Sequence, residues 1–425
     1  MEQKWFKLDN AAKIYPAVRE REWAPIYRLD CMLRENVDPK VLDSALQMTY
    51  RRFPTFSVSI RKGLFWYFLE ENQSRPQVRL ETAYPTEPFS EEKDRGFHFR
   101  VLYFRKRISL EVFHSLADGY GSLVFLKTLV FNYFLLSREE KPKIDYSNLE
   151  EYGILYYKDL PTEEETEDSF LNYAEKKQAL NLKEHIPFKI PGTRFKRHSL
   201  RITHVVLSVR QVIDLSKRYG STITQFLTAL YIHAISMDKK YRVSSNKLIK
   251  ISVPINLRKA FPSKTLRNFS SYINIAVSPG QDMDFQTICD QVRNQMTESM
   301  DPKLLRMKFS GNVNAEKKIM TRLAPLFIKK FILRTYYSRY GDRIVTSVLS
   351  NMGNTTLPDY MEDFVERFDA VLGRPQKNSI NSGVMSYRDT ISITFSSVIL
   401  ENTILKAYID FLTSHEVDVK VETNY

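Results

Sequence analysis

The sequence predicts a mixed α/β fold of α+β character, built in two parts. Segments with the two-residue period of a strand alternate with segments of helical period from the start of the chain. The same alternation begins again after residue 200, beyond a charge-rich stretch that starts near residue 140. With 425 residues, 43% of them hydrophobic, the chain is long enough for two domains. We therefore expect an N-terminal lobe over 1–180 and a C-terminal lobe over 181–425, each a mostly antiparallel or mixed sheet with helices.

The first part begins with a strand, a helix and two hairpins. Apolar residues alternate with charged ones in "IYRLDCMLR", which is the period of a strand. Asp38 is a suitable cap for a helix that has Pro39 in its first turn. Two further strand pairs are predicted to turn at Lys62 and Gly63 and near Lys106. Strand, helix and hairpins in this order indicate a layered structure of sheet and helix.

The stretch "EVFHSLADGYGS" joins the second hairpin to a helix. Alternation ends at His114, and apolar residues recur at helical spacing from Gly119 onward. A tight loop between strand and helix can hold a side chain rigidly and still expose it to a ligand. A neutral imidazole is a suitable general base near pH 7, so His114 is the candidate base. Asp118 either contacts the imidazole or pairs with a distant cation and locks the loop; we favour the lock. Gly119 then allows a positive φ or a close backbone approach.

The second part repeats the alternation of strand and helix. A strand in "HVVLSV" is followed by a helix that Gly220 ends, and then by a buried helix in "TITQFLTALYIHAI". The strand in "KLIKISVPINLR" contains Pro254, which favours an edge or strand-end position. Further strands are predicted in "SSYINIAV", "IVTSVLSNMG" and "DTISITFSSV". Two such halves predict a cleft between lobes.

Composition and motifs exclude several classes of function. The 63 Lys and Arg against 50 Asp and Glu favour an anionic partner, but the basic residues are dispersed and no nucleic-acid-binding motif is present. A metal site at His114 and Asp118 lacks a third ligand, so none is expected. Cys31 and Cys289 are too few for a disulfide framework or a thiolate site. Neither a P-loop nor a G-x-S-x-G elbow is present.

Location is predicted from apolar runs. No run approaches the ~20 apolar residues of a membrane span, and the first residues lack the apolar core of a signal peptide, so we expect a cytoplasmic protein. The stretch "LAPLFIKKFILRTYYSRYG" mixes apolar and basic residues. We expect a helix that is buried or packs against the lobes, with a peripheral contact to a membrane surface as the alternative.

The segment His114-Ser-Leu-Ala-Asp118-Gly119 resembles the H-x-x-x-D-G motif of the acyltransferase superfamily that includes chloramphenicol acetyltransferase and nonribosomal peptide condensation domains. The stretches "RRFPTFSV", "VPINLRKAFPSKTLRNF" and "LSNMGNTTLPDYM" extend the resemblance over nearly the whole chain. It is strongest to stand-alone bacterial alcohol acetyltransferase-like proteins. Phe113 stands where condensation domains usually carry a second histidine, and the D-F-G-W-G signature of the plant enzymes is absent.

The resemblance implies two similar lobes with a tunnel between them. Donor and acceptor enter from opposite sides, and His114 takes the proton of the acceptor without an acyl-enzyme. Asp118 and Gly119 are structural in this scheme, and Arg258 is the candidate partner of Asp118.

Two further sets of residues are candidates for binding roles. Donors to the oxyanion of the tetrahedral intermediate are sought in "RNFSS" and "LSNMG", although each candidate can instead make local hydrogen bonds: Asn268, Ser270, Ser350 and Asn351. Candidate cations for coenzyme A phosphates, or else a solvated basic loop, follow the strand that contains Pro254: Lys259, Lys264 and Arg267.

The predicted function is transfer of an acyl group from acyl-CoA, as co-substrate rather than bound cofactor, to an alcohol. N-acylation or condensation with a separate acyl carrier protein is the related alternative. A non-catalytic relative that only binds ligands is the alternative of another class, and the intact His, Asp and Gly argue against it.

Overall fold

The computed structural model describes residues 5–21, 23–140, 144–176, 186–196, 199–243, 247–280, 283–318, 321 and 323–424. The predicted lobe boundary between residues 180 and 181 lies outside these residues. The fold is mixed α/β, as predicted, with three sheets.

A five-stranded sheet carries the candidate loop. Its order is β12-β2-β7-β6-β5, antiparallel except for the parallel pair β5 and β6. The strands are β2 (Ile26–Leu33), β5 (Val78–Leu80), β6 (Phe99–Phe104), β7 (Arg107–Phe113) and β12 (Val365–Val371). The last of these comes from the C-terminal part of the chain, so the two parts are interleaved at this sheet.

A three-stranded sheet of order β1-β4-β3 lies in the same part of the chain. It consists of β1 (Trp5–Lys7), β3 (Val58–Lys62) and β4 (Tyr67–Glu71).

A seven-stranded mixed sheet of order β10-β9-β11-β13-β14-β8-β15 forms the second half. Strand β11 runs parallel to β9 and β13, and the other neighbours are antiparallel. The strands are β8 (Arg201–Ser208), β9 (Ile249–Asn256), β10 (Ser270–Val277), β11 (Ser347–Thr355), β13 (Ile380–Tyr387), β14 (Thr390–Ser397) and β15 (Lys420–Thr423).

Twelve α-helices are found in the described part of the chain. They are α1 (Ile14–Val18), α2 (Pro39–Arg52), α3 (Gly119–Ser137), α4 (Glu163–Thr166), α5 (Ser169–Tyr173), α6 (Val209–Arg218), α7 (Ile223–Ser236), α8 (Lys239–Val243), α9 (Phe285–Ser299), α10 (Pro302–Lys317), α11 (Leu326–Tyr340) and α12 (Thr403–Ser414). Helix α2 begins as predicted, since the Asp38 carboxylate accepts hydrogen bonds from the main-chain N–H groups of Lys40 and Val41.

Two large hydrophobic cores underlie the sheets. The first packs α2 and α3 against the five-stranded sheet, and the second packs α7 and α9 against the seven-stranded sheet. Helix α3 has the length and composition of a membrane span, contrary to the sequence-based expectation, but 83% of its apolar window is buried inside the protein. It is therefore the central helix of the first core.

Two charged segments are more buried than the sequence pattern suggests. Arg28 of β2 is 2% exposed and donates to Glu111 and Glu81, so the charged face of this strand is a buried ion-pair network. Glu165 of the acidic run also forms a buried bidentate pair with Arg52, at 2.6 and 2.8 Å. That run is therefore not simply an exposed connection, as its composition had indicated.

Candidate active site

His114 lies directly after β7, at the entry to the loop that leads into α3. Its main-chain N–H donates to the Pro25 carbonyl at 3.0 Å, which anchors the end of the strand. The imidazole stacks on Tyr15 of α1 at 4.6 Å and meets the edge of Tyr27 of β2 at 5.0 Å. The two aromatic rings hold the imidazole firmly, and the residue as a whole remains partly exposed.

A chain of side chains sets the orientation of this ring. Asn268 Oδ1 lies 3.1 Å from His114 Nδ1, and Asn268 Nδ2 donates to Asp9 Oδ2 at 3.2 Å. An ionised carboxylate only accepts, so Asp9 binds the amide nitrogen and turns the amide oxygen toward the imidazole. His114 Nδ1 must then carry the proton. The neutral ring therefore keeps its lone pair on Nε2.

Electrostatics favour the neutral, basic form of this imidazole. Burial lowers the pKa of His114 below its usual 6.5. Hydrogen bonds to its own main-chain carbonyl and to Asn268, together with the charges of Asp118 and Asp9, act in the opposite direction and limit that fall. At neutral pH the ring is thus available as a proton acceptor.

Asp118 does not bond to the imidazole but caps helix α3. Its Oδ1 accepts from the Gly121 main-chain N–H at 3.1 Å, and its Oδ2 accepts from Arg258 Nη1 at 2.7 Å and from the Phe269 N–H at 2.8 Å. The Asp118 side chain is 5% exposed. Of the two arrangements that the sequence leaves open, the structure has the pairing with a distant cation.

Arg258 links this cap to the segment between β9 and β10. Besides Asp118, its guanidinium donates to the main-chain carbonyls of Thr265 and Arg267 at 2.7 to 2.9 Å, and it lies over the Tyr120 ring at 4.5 Å. The segment that carries Asn268 is therefore fixed relative to the start of α3. One arginine in this way sets the position of the side chain that orients His114.

Two glycines of the loop have different constraints. A Cβ on Gly119 would lie 2.6 Å from the flexible Met352 side chain, whereas a Cβ on Gly121 would lie 1.9 Å from the main-chain oxygen of Leu266. Gly119 does not have a positive φ. The close backbone approach expected at Gly119 is thus found at Gly121, which the sequence reasoning did not single out.

Three further contacts to the loop were missed by sequence reasoning. Asp9 and Tyr15 come from the N-terminal segment, while the Tyr27 hydroxyl donates to the Ala117 carbonyl at 2.9 Å and contacts Ser122 Oγ at 2.6 Å. No sequence motif marks them, because their partners lie 90 or more residues away along the chain.

The predicted oxyanion donors are only partly brought to the loop. Asn268 is there, but its carbonyl oxygen rather than its amino group faces His114, so the structure corrects its role to orientation of the ring. Asn351 accepts from the Gly353 N–H, which is a local hydrogen bond of the kind that the alternative interpretation expected, and donates to Thr224, which is 127 residues away along the chain. Ser350 on β11 is buried, and Ser270 at the start of β10 is partly exposed. The oxyanion role of both serines stays a prediction.

The three predicted phosphate ligands lie in different environments. Lys259 and Lys264 are exposed, and Lys264 pairs with Glu164 at 3.2 Å. Arg267 is 5% exposed, donates to the main-chain carbonyls of Lys7 and Thr166, and lies 3.6 Å from Asp9. Its guanidinium is not accessible to coenzyme A, so the predicted role of Arg267 does not fit the structure.

Metal-ligand residues do not cluster near this loop. Across the described ranges no group of three or more His, Cys, Asp and Glu side chains is arranged to hold a metal ion.

Comparison with solved structures identifies the fold. The chain is similar to trichothecene 15-O-acetyltransferase TRI3 from Fusarium sporotrichioides, with a TM-score of 0.61, 12% identity, and coverage of 97% of this chain and 95% of that one. Polyketide synthase associated protein 5 from Mycobacterium tuberculosis aligns with a TM-score of 0.58, 12% identity and 96% coverage of both chains. The starter condensation domain of rhizomide synthetase, in complex with C8-CoA and Leu-SNAC, aligns with a TM-score of 0.57, 13% identity and coverage of 97% and 94%.

These likenesses establish a two-lobed fold shared with acetyltransferases and condensation domains. No family model and no curated protein matches the sequence. At 11 to 13% identity, the structural match extends to the fold and leaves the activity to be argued from the site.

Proposed function

We propose that this protein is an acyltransferase that moves an acyl group from acyl-CoA to an alcohol, with His114 as general base. The observation that carries the proposal is the Asp9–Asn268–His114 chain, which leaves Nε2 unprotonated on a residue that is not fully buried. A base held in one tautomer and still reachable by a ligand has the features that proton abstraction requires. A ligand-binding relative without catalysis has no need of that tautomer.

In the proposed reaction, Nε2 takes the hydroxyl proton of the acceptor as its oxygen attacks the thioester carbonyl. The tetrahedral intermediate collapses by breaking the bond between carbon and sulfur, and protonated His114 returns the proton to the departing thiolate. The products are an ester and free coenzyme A. The chain supplies no nucleophile in this scheme, so no covalent acyl-enzyme forms.

Several parts of the proposal rest on the resemblance of the sequence to the H-x-x-x-D-G acyltransferases. Donor and acceptor would reach His114 through a tunnel between the lobes, and the exposed Lys259 and Lys264 would attract the phosphates of coenzyme A. Ser270 and Ser350 are the remaining candidates for oxyanion donors. A cytoplasmic location, where acyl-CoA is available, is part of the same proposal.

The decisive experiment incubates the purified protein with a panel of acyl-CoA donors and alcohol or amine acceptors and follows release of free thiol. Acceptor-dependent release with alcohols is expected, and His114→Ala should reduce it by about 10² to 10⁴-fold. Preference for amines, or for acyl carrier protein over coenzyme A as donor, would favour the related alternative. Equal rates in both proteins would exclude His114 as the base.

A further inference from the structure

Helix α11 carries an exposed apolar face that continues onto a neighbouring hairpin. Its large exposed side chains are Phe327 (73% exposed), Ile328 (40%), Phe331 (72%), Ile332 (57%) and Tyr336 (51%). The turn between β3 and β4 adds Leu64 (74%) and Phe65 (41%). We call these seven residues the apolar patch.

The patch is part of the folded structure and not a frayed end. The Leu326 N–H donates to the Leu64 carbonyl at 2.9 Å, and Lys329 Nζ donates to the Phe65 carbonyl at 3.0 Å, so helix and turn are joined. Leu326 and Leu333 pack against the first core from the opposite face of the helix. The helix is thus fixed with these apolar side chains outward.

Such a face is unusual for a folded chain. A helix normally turns its apolar stripe to the core, and contiguous exposed apolar patches mark interaction sites. Other strongly exposed leucines, such as Leu160 and Leu400, lie on separate segments outside this helix and hairpin. The outward position of the apolar patch therefore indicates that another molecule binds this surface.

The segment that carries the patch is rich in positive charge, and Glu316 just before it is paired with Lys13. The segment 317–341 has seven Lys and Arg and no Asp or Glu. Burial lowers the pKa of Lys330, and the nearby positive charges of Arg334 and Lys62 lower it further. Lys329 is buried, but the other cations of the segment would be stabilised by a negatively charged surface.

We propose that the apolar patch docks on an anionic lipid bilayer. Phenylalanine and isoleucine side chains that project from a helix insert into the acyl boundary, while the surrounding cations contact lipid headgroups. The projecting shape of the patch and the absence of any acidic residue in 317–341 favour a bilayer over a protein partner, whose interface would offer mixed charges and matching cavities.

Docking would also bring the candidate active site close to the membrane. Arg334 of α11 donates to the Ala17 and Arg19 carbonyls at 2.8 and 3.0 Å, which attaches the helix to α1. Tyr15 of α1 stacks on His114. Only one short helix, α1, therefore separates the apolar patch from the imidazole. This geometry suits an apolar acceptor that reaches the site from the bilayer. That consequence rests on the proposed function, whereas the docking itself does not.

The test is sedimentation of the full chain with phosphatidylcholine vesicles, with and without phosphatidylglycerol. We expect binding to the anionic vesicles that weakens at high salt, and at least about tenfold weaker binding for Phe327→Asp/Phe331→Asp. Lys62→Glu/Lys330→Glu should lower binding to anionic vesicles alone. The matched control, Leu160→Asp/Leu400→Asp, places the same charges at exposed leucines outside the patch and should bind as the wild type does.

Three results would overturn the docking proposal. The first is that the wild-type chain does not sediment with vesicles, and the second is that the patch and control variants lose vesicle binding equally. The third is that light scattering shows a dimer that only the patch variant disrupts, while vesicle binding of that variant is unchanged. Circular dichroism of each variant checks folding. Because the readout is sedimentation, loss of docking and failure of the proposed acyl transfer are distinguished in the same preparations.

Discussion

At the scale of single residues, the chemistry of the site depends on which nitrogen of His114 holds a proton. Asp9 determines the direction of the Asn268 amide, and Asn268 determines the tautomer of the ring. Neither residue needs to touch a substrate. Both are positioning residues whose effect should appear in the pH dependence of the rate.

Replacing Asn268 should alter both the rate and its pH profile. In the wild type, kcat/KM should fall as pH drops through the lowered pKa of His114, because the protonated ring cannot accept a proton. The hydrogen bond to Asn268 raises that pKa, so Asn268→Leu should move the acid limb to still lower pH. Loss of the fixed tautomer should reduce kcat, by less than the about 10² to 10⁴-fold that removal of the base itself costs.

A matched control for this experiment is Asn378→Leu. Asn378 is equally buried, but its side chain accepts from Lys189 rather than from the ring. This variant should lose stability and keep the acid limb in place. If the acid limb of the pH profile of kcat/KM is unshifted in Asn268→Leu, the Asn268 amide does not act on the His114 imidazole.

At the scale of elements, the loop between β7 and α3 depends on its second glycine. Gly121→Ala should lower the free energy of unfolding by at least about 1–3 kcal/mol. The new methyl group would clash with the main-chain oxygen of Leu266, which can move only if the backbone shifts. Gly119→Ala should cost less, since the Met352 side chain can rotate away. Urea unfolding of both variants measures the difference, and an equal loss in the two would contradict this reading of the contacts.

Sequence patterning predicted the elements that have a clear hydrophobic period or a long apolar run. The strands β2, β8, β9 and β10 and the helices α2, α3 and α7 all lie where the periodicity placed them. Pro254 tests the rule that proline favours an edge strand or a strand end. Strand β9 is an inner strand, but it pairs with β11 only at Ile251 and Ser252. Pro254 therefore lies beyond the residues that pair with β11. The strand-end alternative is therefore the correct one.

Among the described residues five strands escaped prediction: β1, β5 and β15 are short and partly exposed, whereas β12 and β13 are buried on both faces and carry small or charged residues. In β13, Gly383 lies so close to β12 that a Cβ would be 2.2 Å from the Ala370 oxygen, and this contact excludes the large apolar side chains that reveal a strand. In β12, Arg367 and Asp369 are buried as an ion pair. Period-2 alternation of hydrophobicity cannot detect such strands.

The candidate site was predictable to the extent that its residues share a local motif. His114, Asp118 and Arg258 were named from the sequence, and the structure brings Asp118 and Arg258 into contact. Asp9 was not, because it reaches Asn268 across 259 residues of chain. Arg267 was misassigned because a basic residue in a loop has the same sequence signature whether its guanidinium is exposed or buried.

At the scale of the whole molecule, one buried ion pair connects distant parts of the chain. Asp118 caps the central helix of the first core, and Arg258 belongs to the segment that leads from β9 to β10 in the second sheet. Their side chains are 5% and 6% exposed. The pair therefore joins the two parts through side chains, and Arg258 also holds the segment that carries Asn268, the residue bonded to His114.

Breaking this pair should destabilise the whole chain. Asp118→Ala and Arg258→Ala should each cost about 3–5 kcal/mol, because each leaves a buried charge without its partner. The double variant should lose less than the sum of the two, with a coupling of about 0.5–3 kcal/mol. Arg258→Lys should recover little of the lost stability, since an ammonium cannot bond to Asp118 and to the Thr265 and Arg267 carbonyls at once.

Urea unfolding followed by circular dichroism measures these differences. The exposed pair of Lys264 and Glu164 is the control, and Lys264→Ala should change the midpoint of unfolding little. If the Arg258 and Asp118 effects are simply additive, the two side chains stabilise the protein independently, and the coupling of the two parts must come from another contact.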